Sequence, residues 1–166
     1  MTAASDLLKS NDAFAASFDK GHLGIAPAKP VLVLTCLDAR LDPARMLGLD
    51  IGDAHVVRNA GGRATDDAVR SALISSWLLG TREFIEIHHT DCGMRKFTDD
   101  VLHEKIREAT GVDVSDEEYL SFTDPDEGLR DDVARFRDQT LPKGVTISGY
   151  VYDVGDGTLR EVVSAA

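Results

Sequence analysis

Two cysteines and one histidine stand where a metal could be gripped. Cys36 directly follows the apolar run at residues 31–35 (VLVLT), and His89 and Cys92 follow a second run at 83–88 (EFIEIH) as His89-Thr-Asp-Cys92. In open α/β sheets the ligand crevice lies outside the carboxyl ends of the strands. If the two runs form neighbouring strands, both sulfurs and the imidazole converge there. Two thiolates and a neutral imidazole suit Zn²⁺, and three protein ligands leave a fourth position open, as catalytic rather than structural sites do. Asp38 lies two residues past Cys36 and Arg40 two further on, so in extended backbone their side chains share a side. Asp38 then has two partners to choose between, the metal as a fourth ligand or the Arg40 guanidinium in a bidentate contact. With Arg40 holding it, the fourth position is free for a water, which a zinc ion acidifies toward neutrality for attack on a small electrophilic carbon.

The elements that must position these residues are alternating strands and helices. Residues 31–35 and 83–88 read as strands buried on both faces, as do 54–58 and 145–152. Gly155-Asp-Gly157 supplies turn chemistry before an antiparallel edge strand at 158–163. Thr65 predicts an N-cap for a helix to about Leu79 whose inner face holds Val69, Leu73, Ser76 and Trp77, with Trp77 in the core. Thr98 predicts a second cap, with a stop at Gly111, and Asp124-Pro125 a third. Residues 3–18 read as one or two short amphipathic helices, followed by a Gly/Pro linker. The expected fold is α/β, a mainly parallel sheet of about four strands flanked by helices with a C-terminal antiparallel edge strand, in a single domain over residues 1–166. Residues 1–30 are expected to form a helical arm that packs on a partner subunit.

Composition narrows the function. At 166 residues the chain suits one domain with a substantial core. A net charge of −11 argues against nucleic acid and anionic membrane partners and leaves a small neutral substrate. No apolar run is long enough to span a bilayer, the N-terminus lacks a secretory leader, and two cysteines make a poor disulfide framework, which together point to the cytoplasm. No Lys or Arg occurs between Arg107 and Arg130, a stretch read as a solvated acidic loop. His88 is expected on the opposite side of its strand from His89, in packing. His55 reads as a structural histidine or a proton relay. Asn59-Ala-Gly-Gly62 reads as a tight turn near the site, and Tyr150 and Tyr152 as one face of a strand open to a subunit interface.

Together Cys36-Leu-Asp38-Ala-Arg40, Arg58-Asn-Ala-Gly61 and His89-Thr-Asp-Cys92-Gly93 resemble the β-class carbonic anhydrases in order and spacing. The resemblance implies zinc on Cys36, His89 and Cys92, an Asp38–Arg40 catalytic dyad, and reversible hydration of CO₂ to bicarbonate and a proton. It also implies a homodimer or higher assembly and, in some members, closure of the site by Asp38 on the metal at low pH. Gly93 is assigned to substrate binding. Plant-like members carry a pocket Gln ahead of the first core strand, and residues 14–30 have none, so the chain is closer to a compact branch. Hydrolases of carbonyl sulfide or carbon disulfide resemble that branch and share the zinc motif, which leaves COS or CS₂ as the alternative substrate. A non-enzymatic zinc or thiol-redox protein, with a Cys36–Cys92 disulfide, has no use for the open position or the dyad.

Overall fold

The computed structural model describes residues 2–166. Among them, five strands form one sheet in the order β2-β1-β3-β4-β5. β1 (Val31–Cys36) and β3 (Glu83–His89) are central and paired in parallel, with Thr35 opposite Ile87. β2 (His55–Asn59) lies parallel to β1 on one outer side, and β4 (Thr146–Tyr152) lies parallel to β3 on the other. β5 (Leu159–Val163) returns antiparallel to β4. The sheet is thus mixed and mostly parallel with an antiparallel edge, as expected. The uninterrupted apolar run of β1 is stable only where both faces are covered, which a central position provides, and β3 beside it is buried along most of its length despite carrying Glu86 and His88. β2 alternates instead and leaves Val56 exposed at the sheet edge.

Helices α3 (Asp66–Leu78) and α5 (Pro125–Arg137) bury their apolar stripes on one face of this sheet. Thr65 caps α3 by accepting from the Ala68 N–H, with Asp66 and Asp67 in the positive first turn. Asp124 caps α5 through the N–H groups of Asp126 and Glu127, and Pro125 occupies the position where no N–H is needed. The core between sheet and helices includes an edge-to-face pair, Phe84 and Phe136, with centroids 5.6 Å apart. A second, smaller cluster at the carboxyl ends of the strands joins Cys36, Leu41, Cys92 and Met94 to Met46, Phe97, Phe122 and Tyr152.

One local expectation narrows and three change. Residues 3–16 form one continuous helix, α1 (Ala3–Ala16), which buries none of its residues. A five-residue helix not anticipated from the sequence, α2 (Pro43–Leu47), follows an Asp42 cap. Trp77 is not core: it is 57% exposed and donates its indole N–H to the Thr140 carbonyl. At about 100° per residue, Trp77 lies roughly 80° round the helix from Val69 and off the buried face that Val69 shares with Ser76. Finally, α4 (Asp99–Thr110) ends at the expected left-handed Gly111, but Thr98 makes no side-chain cap. Asp99 turns its carboxylate outward instead and accepts from the N–H groups of Tyr119, Leu120 and Ser121, pinning the acidic loop.

Candidate metal centre

Adjacency of β1 and β3 brings Cys36, His89 and Cys92 together at the strand ends, all buried, with their ligand atoms within 4.8 Å of one another. Three features pre-set this group for a cation. His89 Nδ1 lies 2.9 Å from the Thr90 carbonyl, an acceptor only, so Nδ1 carries the hydrogen and Nε2 keeps its lone pair. That Nε2 is buried without a hydrogen-bond partner, a cost that a bound cation would remove. Both cysteines are free thiols. A contact from the Cys92 thiol, then one from His89 and from the Asp38 and Gly61 N–H groups, lowers Cys36 to about 4 against the pull of burial. Cys92 is pushed up because it shares its proton with Cys36 and is itself buried. Two sulfurs contending over one proton, beside a free imidazole lone pair, form a soft donor set for a metal ion.

Backbone constraints hold Cys36 in place. Gly62 adopts φ +70°, and a Cβ there would come within 2.9 Å of the Cys36 nitrogen, so the turn after β2 approaches β1 as only glycine permits. Asn59 closes that turn, accepting from the Arg63 N–H at 2.7 Å and donating to the Arg63 carbonyl at 2.7 Å. Arg58 straps the segment that follows β1, donating to the carbonyls of Cys36 at 3.0 Å and Asp38 at 2.8 Å. The tight turn expected at Asn59-Ala-Gly-Gly62 is therefore the floor of the site.

Asp38 and Arg40 meet as their spacing predicts. Arg40 Nε donates to Asp38 Oδ1 at 3.0 Å and Nη2 to Oδ2 at 2.8 Å, while the Arg40 backbone N–H adds a third bond at 2.9 Å. These contacts hold the Asp38 carboxyl well below the usual carboxylate range. Its Oδ2 lies 3.8 Å from His89 Nε2, so the carboxylate borders the metal position while turned onto the guanidinium. Gly93 is exposed and opens the short 3-10 turn Gly93–Arg95; nothing lies within 4 Å of where a Cβ would sit.

Other sequence candidates lie elsewhere. His55 bonds the Ser75 hydroxyl at 2.7 Å on the α3 side. His88 points to the opposite face from His89, as alternation requires. There it bonds Asp132 of α5 at 3.1 Å and stacks on Phe122. Asp132 also accepts from Arg63 Nε at 2.6 Å, and Glu86 completes this buried group with no hydrogen bond to either oxygen, its Oε1 lying 3.9 Å from His88 Nε2. Only His88 of the four stood out in the sequence. The signal for Glu86 was present: an acid in phase with Phe84 and His88 on a strand that must be buried.

Comparison with known proteins now decides the family. A carbonic anhydrase family profile matches residues 31–116. The chain is 44% identical over 163 residues to β-carbonic anhydrase 1 of Mycobacterium tuberculosis, covering 98% of this chain and 99% of the other. The chain belongs to the β-class carbonic anhydrase family. The crystal structure of a carbonic anhydrase from Streptococcus mutans superposes with a TM-score of 0.93 at 43% identity, over 98% of each chain. The carbon disulfide hydrolase of Saccharolobus solfataricus is also similar, 37% identical over 83% of this chain and 79% of its own. As a carbonic anhydrase by family, the chain keeps its metal-site group, Cys36, His89 and Cys92, buried at the carboxyl end of the sheet.

Proposed function

We propose that this protein catalyses the reversible hydration of CO₂ to bicarbonate and a proton, with zinc held by Cys36, His89 and Cys92 and with Asp38 and Arg40 as the catalytic dyad. The observation that carries the reading is the placement of Asp38, 3.8 Å from the free His89 nitrogen yet bound to Arg40. A closed structural site has no use for a carboxylate poised beside it. Bound there, zinc would supply a water acidified toward neutrality and a positive charge to meet the bicarbonate oxygen.

The remaining chemistry belongs to the chain. Asp38, ionised by its Arg40 contacts, is an acceptor only, so it takes the nucleophilic water's O–H in a hydrogen bond and turns a lone pair toward the carbon. Arg40 holds Asp38 on the guanidinium and off the metal position, and its charge offsets that of bicarbonate. Gly93, bare of a side chain, keeps room for substrate beyond Cys92. When the Arg40 contacts are lost or outcompeted in acid, Asp38 is placed to ligate the metal and close the site.

A homodimer or larger homo-oligomer accords with the surface. α1 exposes Leu7, Leu8 and Phe14, and the β2 edge and α3 expose Val56, Ile74, Trp77 and Leu78. Apolar side chains grouped on a helix and a sheet edge are what a partner subunit would cover. The arm at residues 1–30 would then lie on the partner. Among the described residues no helix is long and apolar enough to cross a membrane, and thiols used as metal ligands suit a reducing compartment such as the cytoplasm.

Paired stopped-flow assays on the zinc-loaded protein test the substrate. Rapid CO₂ hydration with slow COS and CS₂ turnover is expected. Fast COS or CS₂ hydrolysis with negligible CO₂ hydration would overturn the reading in favour of a C–S hydrolase.

A further inference from the structure

The dyad is tied down from a side the proposed chemistry does not use. The Asp38–Arg40 bonds join residues two apart on one loop, so they fix the pair internally but not relative to the metal ligands. Arg40 is 46% exposed, and a long exposed side chain has rotamer freedom to lose. Its outer edge, however, reaches across the fold: Nη1 donates to Asp91 Oδ2 at 3.0 Å and Nη2 to the Asp91 carbonyl at 3.1 Å. With the two bonds to Asp38, these engage four of the five guanidinium N–H groups. Asp91 sits between His89 and Cys92, so the ligand loop itself grips the guanidinium. Asp91 also has φ +52°, a left-handed conformation uncommon outside glycine, asparagine and aspartate. That backbone turn presents carboxylate and carbonyl to Arg40 together. Lys96 Nζ holds the other carboxylate oxygen at 2.6 Å, leaving Asp91 between two cations.

We propose that Asp91 is a positioning residue: it anchors Arg40 to the His89–Cys92 loop, so that the guanidinium draws Asp38 away from the metal rather than moving with it. This rests on the function proposed above, in which Asp38 must stay off the metal. Without Asp91, the Asp38–Arg40 pair can turn as a unit toward His89, and the fraction of molecules with an open fourth position falls. Because CO₂ need not touch the metal to bind, that loss lowers kcat and leaves KM unchanged.

The test uses Asp91→Asn, which keeps an acceptor and tolerates the left-handed backbone but removes the charge, and Asp91→Ala, which removes both. With zinc content equal to wild type, kcat for CO₂ is expected to fall about threefold in Asp91→Asn and further in Asp91→Ala, at constant KM. A Co²⁺-substituted series supplies a readout independent of turnover. Thiocyanate titrated at fixed pH perturbs the visible spectrum by entering the fourth position, and the variants are expected to need several-fold more of it than wild type. Lys96→Met, which frees Asp91 for Arg40 alone, is expected to stay within about twofold of wild type. If Asp91→Ala loses its metal or fails to fold, Asp91→Asn decides. Wild-type kcat and thiocyanate response in Asp91→Asn would overturn the proposal, as would a raised KM at unchanged kcat. Absence of CO₂ hydration in wild type would instead count against the proposed function, while the thiocyanate comparison would still read the placement of Arg40.

Discussion

Replacing Glu86 with Gln should remove a pH-dependent weakness from the fold. Glu86 is 1% exposed, neither of its oxygens has a hydrogen-bond partner, and it shares its pocket with His88, Asp132 and Arg63. Burial first, and the Asp132 charge second, raise its carboxyl well above the ordinary glutamate value, with Arg63 opposing. The sign follows from where the proton sits. Folded protein keeps the Glu86 proton that the unfolded chain releases, so this group's stability is fully present below the unfolded pKa. It is lost as pH rises through the folded one. Between those values the cost is about 1.4 kcal/mol per pH unit, since one unit of differential protonation corresponds to that energy. For a chain of this length that is roughly 3–6 °C in Tm per pH unit. Gln preserves the shape and cannot ionise. Thermal unfolding of zinc-loaded wild type and Glu86→Gln, followed by circular dichroism from pH 4.5 to 8.5 at matched protein and salt concentration, gives the difference directly. Any metal loss in acid affects both proteins and cancels. The two Tm curves are expected to meet near pH 4.5 and diverge upward, with Glu86→Gln the more stable in base. Parallel curves, or a variant less stable throughout, would refute the argument that Glu86 is held protonated.

Three further outcomes follow from the site. Arg40→Ala is expected to retain one zinc per chain and lose most CO₂ hydration, because Asp38 is freed to occupy the water's position; turnover measured against zinc content checks this, and undiminished kcat would contradict the gating role. Gly62→Ala is expected to cost about 1–3 kcal/mol in denaturant unfolding and to lower zinc occupancy, because its Cβ would meet the Cys36 nitrogen at 2.9 Å from a φ of +70°. After zinc removal by chelation, iodoacetamide at pH 6 is expected to modify Cys36 ahead of Cys92, since the Cys36 thiol is lowered to about 4 and Cys92 raised; peptide mapping reads the order, and zinc should protect both.

Much of the site was legible because its residues stand at the ends of apolar runs whose strand character is unambiguous. Val31–Cys36 and Glu83–His89 read as buried strands, and once they are neighbours Cys36, His89 and Cys92 converge. Asp38 and Arg40 were readable for a similar reason, an i, i+2 spacing in extended backbone. The rest depends on contacts that span long stretches of chain. Asp91 meets Arg40 across 51 residues, and Asp132 meets Arg63 across 69. Local pattern carries no trace of either. Asp99 looks like an ordinary acid in a helix's first turn, yet it bonds backbone 20 to 22 residues away. Trp77 failed in the other direction: the i, i+8 step from Val69 was read as one face, but it turns about 80° round the helix, so Ser76 is buried and Trp77 is not.

The central claim is that catalysis runs through one zinc held by Cys36, His89 and Cys92. Titrating zinc into metal-free protein while following CO₂ hydration by stopped flow tests it directly. Activity should rise linearly and saturate at one zinc per chain, and Cys92→Ala should show neither tight zinc uptake nor activity. CO₂ hydration that is independent of zinc, or that survives in Cys92→Ala after its zinc is lost, would contradict it.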